Sequence, residues 1–371
     1  MTHMSNSILD TVLSRRDVVE RQSFDALQLT EQLLAVLPEK EAGILRRRYG
    51  LTGERKQTLE MIGKEYAVTR ERIRQIERQS IAAIKDSSVF RESIRPFEHV
   101  VMAVIHEHGG IMTMEMISRE LLGVHHSDVK HHAALHFLLS ELLKDKIEHV
   151  RANKQFSQSW KTKTVSLSLV ERAVAELQRI IEGLEKPHSF ERIFGEFQET
   201  DLYKENTDHF TEQVLTSYLD VAGAVGKNPF DEYGLAHWGL VNPKRMHDRV
   251  YLILQKEGKP LHFEEISQKI TEIFGKKAYP PTVHNELILN DEYVLVGRGL
   301  YALKEWGYQE GVVSDVISQV LEDAAESMHR DEIVDKVLEQ RMVKKNTIYL
   351  ALTDKEVFRK HEDGRYSHQV A

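Results

Sequence analysis

Arg70, Glu71, Arg74, Gln75 and Arg78 fall at spacings that line them along one side of a helix, opposite Ile73, Ile76, Ala83 and Ile84. These polar types have a definite use in the major groove of a duplex. Arg can take guanine through two hydrogen bonds, Gln can pair with adenine, and Glu can accept from the cytosine amino group. Further basic residues hold phosphates and so fix the register. The spacing predicts a helix from Thr69 to Lys85, with Thr69 as its N-cap and Glu71 in the first turn near the positive helix end.

The elements that must position this row lie just upstream. Leu37-Pro38-Glu39-Lys40-Glu41 opens a helix, because Pro in a first turn costs no hydrogen bond. Leu33, Leu34, Leu37, Ile44 and Leu45 recur at helical spacing, and Gly50 can end the second of two helices. Leu59, Ile62 and Tyr66 mark a buried stripe, and Ala67-Val68 makes a tight turn. A helix, a short turn and a polar-faced second helix make a helix-turn-helix. An ordinary amphipathic helical hairpin fits the same pattern.

The run Thr58-Leu59-Glu60-Met61-Ile62-Gly63-Lys64-Glu65-Tyr66-Ala67-Val68-Thr69-Arg70-Glu71-Arg72-Ile73-Arg74-Gln75-Ile76-Glu77 resembles the C-terminal promoter-reading domain, region 4, of bacterial primary sigma factors. Leu45-Arg46-Arg47-Arg48-Tyr49-Gly50-Leu51 is similar to that family's preceding helix end, and the resemblance spans about residues 29 to 85. It implies a domain that reads the −35 promoter element. The positions matching Arg70, Glu71, Arg74 and Gln75 would face base edges, and those matching Arg72 and Lys64 would lie near the backbone. With Thr69 and Arg78 these form the expected DNA-binding set. The resemblance also implies that the helices matching Leu33 to Leu45 pack on the β flap of RNA polymerase. The family's strand-opening domains, with their aromatic residues, have no counterpart upstream, where residues 1 to 29 hold a single aromatic, Phe24. Promoter melting by the family's route is therefore not expected.

Charge is concentrated in the same place. The 371 residues carry 50 Lys and Arg against 58 Asp and Glu, a net charge of −8. Between Arg46 and Lys85, however, eleven Lys or Arg face five Glu, which leaves −14 for the rest. Leu169 to Leu240 alone is at −8. One segment is suited to phosphate and another is suited to avoid it or to meet protein. The absence of cysteine excludes disulfides, thiolate zinc sites and cysteine nucleophiles. No apolar run is long enough to span a bilayer, and the N-terminus does not read as a secretory signal. With the resemblance to bacterial sigma factors, which implies a bacterial, nucleoid-associated protein, these features suggest a cytoplasmic location.

Beyond Arg95 a pattern recurs about every 60 to 75 residues. It runs helix, short turn, helix, helix and a strand pair ending in an aromatic. In the clearest copy, Gly258-Lys259-Pro260-Leu261-His262 turns into a second helix, Pro280-Pro281-Thr282 starts a third carrying Val283, Leu287 and Leu289, and two strands alternate around Gly297-Arg298-Gly299. Three helices closed by a hairpin make a winged helix. These residues resemble the HARE-type helix-turn-helix domain of the polymerase δ subunit. Unrelated helical bundles remain the alternative for the weaker copies. The expected class is mainly α, with tandem helix-turn-helix and winged-helix modules and short β-hairpin wings. The expected domains are an N-terminal helical segment (1–28), the sigma-like module (29–90), winged-helix-like modules (95–165, an acidic 168–241, and 311–371) and the HARE-type module (246–308).

Other chemistry is poorly supported. His132 and His136 are an i,i+4 pair among His125, His126 and His131, but no carboxylate is placed to complete a metal site, so a polar helix surface is the better reading. Gly63-Lys64 lacks the loop of a nucleotide site, Gly297 to Gly299 sits in a hairpin, and Glu264-Glu265 opens a helix. No catalytic residue, cofactor or metal is expected. The expected partners are double-stranded −35-like DNA and RNA polymerase, with no membrane. The favoured function is a transcription regulator, and the competing one is a polymerase-associated adaptor whose modules bind protein.

Overall fold

A computed structural model describes residues 25–308, 312–324, 326–340 and 343–369. The helical segment expected over 1–28 therefore lies, up to residue 24, outside the described residues, as does the limit expected between the 246–308 and 311–371 modules. The chain divides into two compact units, Met1–Gly226 with Tyr233–Ala236, and Lys227–Glu232 with His237–Ala371.

The first unit opens with four helices, α1 (Ala26–Leu34), α2 (Glu39–Tyr49), α3 (Leu59–Glu65) and α4 (Arg70–Asp86). Their ends follow from local chemistry. Asp25 accepts the N–H groups of Leu27 and Gln28 at 2.9 Å. Pro38 stands just before α2, whose first turn carries Glu39 and Glu41, and Gly50 ends it in the left-handed conformation at φ 72°. Thr58 caps α3 and Thr69 caps α4 through the N–H groups of Met61 and Arg72.

α5 (Ser88–Glu107) follows with only Ser87 between, so the limit expected between the 29–90 and 95–165 modules falls inside this helix. The strand β1 (Ile111–Thr113), helices α6 (Met114–Leu122) and α7 (Val129–Phe137), and strands β2 (Ile147–Val150) and β3 (Ser159–Thr162) complete a module whose sheet order is β1-β3-β2. One apolar core runs through both parts. It joins Leu33, Leu34, Leu45 and Ile84 to Phe97, Leu135, Phe137 and Trp160.

Helices α8 (Leu167–Leu184), α9 (Phe190–Gln198), α10 (Asp201–Glu205) and α11 (Glu212–Val221) precede the hairpin of β4 (Val225–Lys227) and β5 (Tyr233–Leu235). A bridge between His188 and Tyr233 stands where the other copies have a first strand. Tyr218 donates to the Gly109 carbonyl at 3.1 Å, which ties α11 to the turn before β1.

The second unit repeats one order of helices and strands twice. α12 (Met246–Glu257), β6 (Leu261–His262), α13 (Phe263–Phe274), α14 (Pro280–Leu289), β7 (Tyr293–Gly297) and β8 (Leu300–Leu303) form a sheet ordered β6-β8-β7. α15 (Val313–Ala324), β9 (Met328–His329), α16 (Arg330–Gln340), α17 (Lys345–Ala351), β10 (Phe358–Lys360) and β11 (Arg365–His368) repeat it with order β9-β11-β10. Each copy closes its own core. Val283 and Leu287 are buried as expected, but Leu289, at the end of α14, is 83% exposed. The architecture is mainly α, with helix-turn-helix modules and short antiparallel hairpins.

Candidate nucleic-acid interface

The helix-turn-helix is held by a small core of its own. Ile44, Ile62 and Ile73 are fully buried, and Leu59, Tyr66, Val68 and Ile76 pack around them. The turn is tight because Gly63 lets α3 approach the chain that follows. A Cβ on Gly63 would sit 2.7 Å from the Val68 carbonyl oxygen, inside any normal contact. Ala67 takes the left-handed conformation at φ 53°, and Val68 N–H closes onto the Gly63 carbonyl at 2.9 Å.

α4 is pinned along its inner side. At about 100° per residue, Ser80 and Ile84 lie within roughly 20° of Ile73, whereas Ala83 is about 80° away. Ser80 and Ile84 are accordingly buried and Ala83 is exposed, which corrects the expectation that Ala83 faces inward. Ser80 donates to Glu41 at 3.2 Å. Glu77 is drawn in as well, accepting from Arg48 Nε at 3.1 Å and from the Tyr49 hydroxyl at 2.9 Å. Burial, with the nearby Glu141 and Glu77 carboxylates, pushes the Tyr49 hydroxyl far above its ordinary range, so it stays a donor. Arg47 braces α3, pairing with Glu65 at 2.8 Å and lying over the Tyr66 ring at 5.5 Å.

The outer side presents the expected row. Lys64, Thr69, Arg70, Glu71, Arg72, Gln75 and Arg78 are exposed, and Arg74 is half-buried. The row carries its own internal pairing. Arg74 donates through Nε to Glu71 at 2.7 Å and through Nη2 to the same carboxylate. The Arg74 guanidinium holds the Glu71 carboxyl below its ordinary range, and Glu71 in turn raises Arg74. Arg72 donates to the side-chain oxygen Oε1 of Gln75 at 3.3 Å, and Lys64 pairs with Glu60 at 3.3 Å. Arg74 therefore keeps only its outer N–H groups for a base edge while Glu71 stays in place. Spacing places these residues on one face but does not show which are already paired.

Residues 33–86 match the family model described as Sigma-70, region 4. This is a sigma-type helix-turn-helix. The RNA polymerase sigma factor SigA of a Bacillus species is 47% identical to the chain over 58 residues, 16% of this chain and 15% of that protein. The chain thus spans only about 15% of the length of that relative.

The region 4 domain is of a DNA-binding and not an enzymatic kind. Arg48, Tyr49 and Glu77 were missed as a positioning network by sequence reasoning, because an Arg48–Glu77 contact between residues 29 apart leaves no spacing signal. On α1 and α2, where the resemblance implies a polymerase contact, Leu33, Leu34, Ile44 and Leu45 are buried within the chain.

The histidine cluster is not the simple polar surface expected. His131 pairs with Asp128 and stacks on His125 at 4.5 Å, while His136 Nδ1 is buried with no hydrogen-bond partner among the described residues. Burial, with lesser effects of Lys56, His149 and His132, lowers the His136 imidazole to about 4. Among the described residues no group of three His or carboxylate side chains could hold a metal, and no helix is long and apolar enough to cross a membrane.

Proposed function

We propose that the chain is a DNA-binding transcription regulator that reads −35-like promoter DNA through α4 and contacts RNA polymerase through its other modules. One observation carries this reading. The row from Arg70 to Arg78 is turned to solvent on a helix whose opposite side is fixed by Ile73, Glu77, Ser80 and Ile84. A rigid helix with Arg, Glu and Gln outward is the arrangement that groove reading needs. In this reading Arg70, Glu71, Arg74 and Gln75 meet base edges. Lys64, Thr69, Arg72 and Arg78 meet the backbone. The domain limits expected from sequence are kept as the module limits of this reading, except the one between 90 and 95, which falls inside α5.

A second reading, a polymerase-associated adaptor, is favoured by α14. That helix occupies the position of a recognition helix in the HARE-type module, yet Pro280–Leu289 has no Lys or Arg, and Ile288 and Leu289 are exposed. Such a face suits protein better than phosphate.

The test is binding of the full chain to a duplex bearing a −35-like hexamer and to a scrambled duplex, across a salt series. A groove reader prefers the hexamer and loses affinity steeply with salt, by about 0.9 in logarithmic slope for each phosphate contact. Equal binding to both duplexes, with polymerase still retained, would establish the adaptor instead.

A further inference from the structure

The geometry points to a small-molecule site in the second module: a cleft between α7 and the β2-β3 hairpin that takes a small aromatic anion. The cleft has a volume of about 670 Å³ and is lined by His136, Ser140, Lys144, His149, Trp160 and Lys163, among others. Nothing in the DNA-reading account uses these residues.

Three features of the cleft agree on the ligand. The first is unmet hydrogen bonding on its inner wall. Four side-chain polar atoms among the described residues are buried without a partner, and two of them, His136 Nδ1 and Ser140 Oγ, belong to this wall. Buried polar groups are normally satisfied, so two on one wall mark a place built to meet a polar ligand atom. The helix is also irregular there. α7 gives way to a π turn over Leu138–Leu142, which puts Leu138, Leu139 and Leu142 into the core while Ser140 lines the cleft. Such wide turns are strained and tend to mark functional positions.

The second feature is aromatic. The Trp160 ring meets His149 at 4.9 Å and His136 at 5.8 Å, both edge-on, so three rings form one side. Trp160 itself is only 4% exposed, so the exposed His149 ring that it supports is the face left for a planar partner. The third feature is charge. Lys161 and Lys146 are committed to Glu148 at 3.0 Å and Glu98 at 3.1 Å. Lys144 and Lys163 are exposed at the cleft and form no ion pair among the described residues. Glu148, which also lines the cleft, is paired with Lys161, which leaves the Lys144 and Lys163 ammonium groups at the mouth for a carboxylate or phosphate. Held neutral by burial, His136 suits a hydroxyl or ring heteroatom deeper in.

The cleft also adjoins the reading helix, a link that rests on the function proposed above. Glu141, next to Ser140 on the π turn, is near enough to the Tyr49 hydroxyl to help raise its pKa, and that hydroxyl donates to Glu77 on α4. A ligand that moves the π turn therefore acts one side chain away from the DNA-reading row.

Isothermal titration of the full chain at neutral pH tests the site without DNA. The probes are indole-3-carboxylate, salicylate and 4-hydroxybenzoate, with indole (a ring without charge) and acetate (a charge without ring) as controls. Saturable one-site binding of at least one aromatic acid, tenfold or more tighter than either control, is expected. Lys144→Glu with Lys163→Glu should weaken it at least tenfold, and Ser140→Ala several-fold, with thermal melts confirming that the variants fold. No saturable binding of any aromatic acid, or binding indifferent to these substitutions, would overturn the site. Duplex affinity measured with and without the bound acid tests the link separately. A shift that Glu141→Gln abolishes supports it, and an unchanged affinity refutes the link alone.

Discussion

Phe137→Ala tests whether the region 4 domain and the module after it are one cooperative body. Phe137 is fully buried on α7, and its ring lies 4.8 Å from that of Tyr49, at the end of α2. Truncating a fully buried Phe costs about 3–5 kcal/mol, from lost transfer energy and the cavity left behind. That is a large part of a stability of roughly 5–15 kcal/mol. Its effect should not stay in the second module. Tyr49 is buried in the shared core and its hydroxyl holds Glu77 on α4. A void beside Tyr49 should therefore loosen α2 and α4 along with α7. Urea unfolding followed by amide hydrogen exchange reads this directly. The stability loss should appear as raised exchange in residues 26–107 and 111–162 together, with weaker duplex binding. If exchange rises only across 111–162 while α2 to α4 keep their protection, the two are separate bodies and the reasoning is wrong.

Other expectations are narrower. Gly63→Ala should destabilise the helix-turn-helix by about 1–3 kcal/mol, because its Cβ meets the Val68 carbonyl; thermal unfolding reads it. Thr69→Ala should cost about 1 kcal/mol by removing the cap on the Arg72 N–H, visible as a lower melting temperature with duplex contacts otherwise kept. Arg74→Ala should cost about 1–3 kcal/mol at one base pair, and competition binding over single-base variants should show relaxed preference there alone. The pH dependence follows from His136. Its folded value is lowered to about 4 from 6.5, so below 6.5 the unfolded chain takes up a proton that the folded chain refuses. The stability present above 6.5 is thus lost progressively as pH falls toward 4, and the drop between about pH 7 and pH 5 should shrink in a His136→Gln variant.

Much of the region 4 domain was legible because its information is local. The cap at Thr69, the stop at Gly50 and the stripes that hold Ile62 and Ile73 each act within a few residues. The helix and strand order of residues 246–303 was legible for the same reason, since Gly258 and Gly297 to Gly299 mark its turns. What escaped depends on the third dimension. The stretch between the 29–90 and 95–165 modules reads as a boundary, yet Pro96 is accommodated inside α5 while Phe97 joins the core shared with Leu33. The polar row was read as a set of independent readers, whereas Arg74 and Glu71 bind each other. His136 looked like surface because helical spacing does not reveal that β3 brings Trp160 against it.

The central claim is that the outer face of α4 meets base edges. Footprinting of the Arg, Gln and Glu side chains on the full chain, with and without a duplex bearing a −35-like hexamer, tests it most directly. Protection of Arg70, Glu71, Arg74 and Gln75 by the hexamer, and not by the scrambled duplex, is the predicted result. Equal reactivity of those four side chains in the free and duplex-bound protein would contradict it.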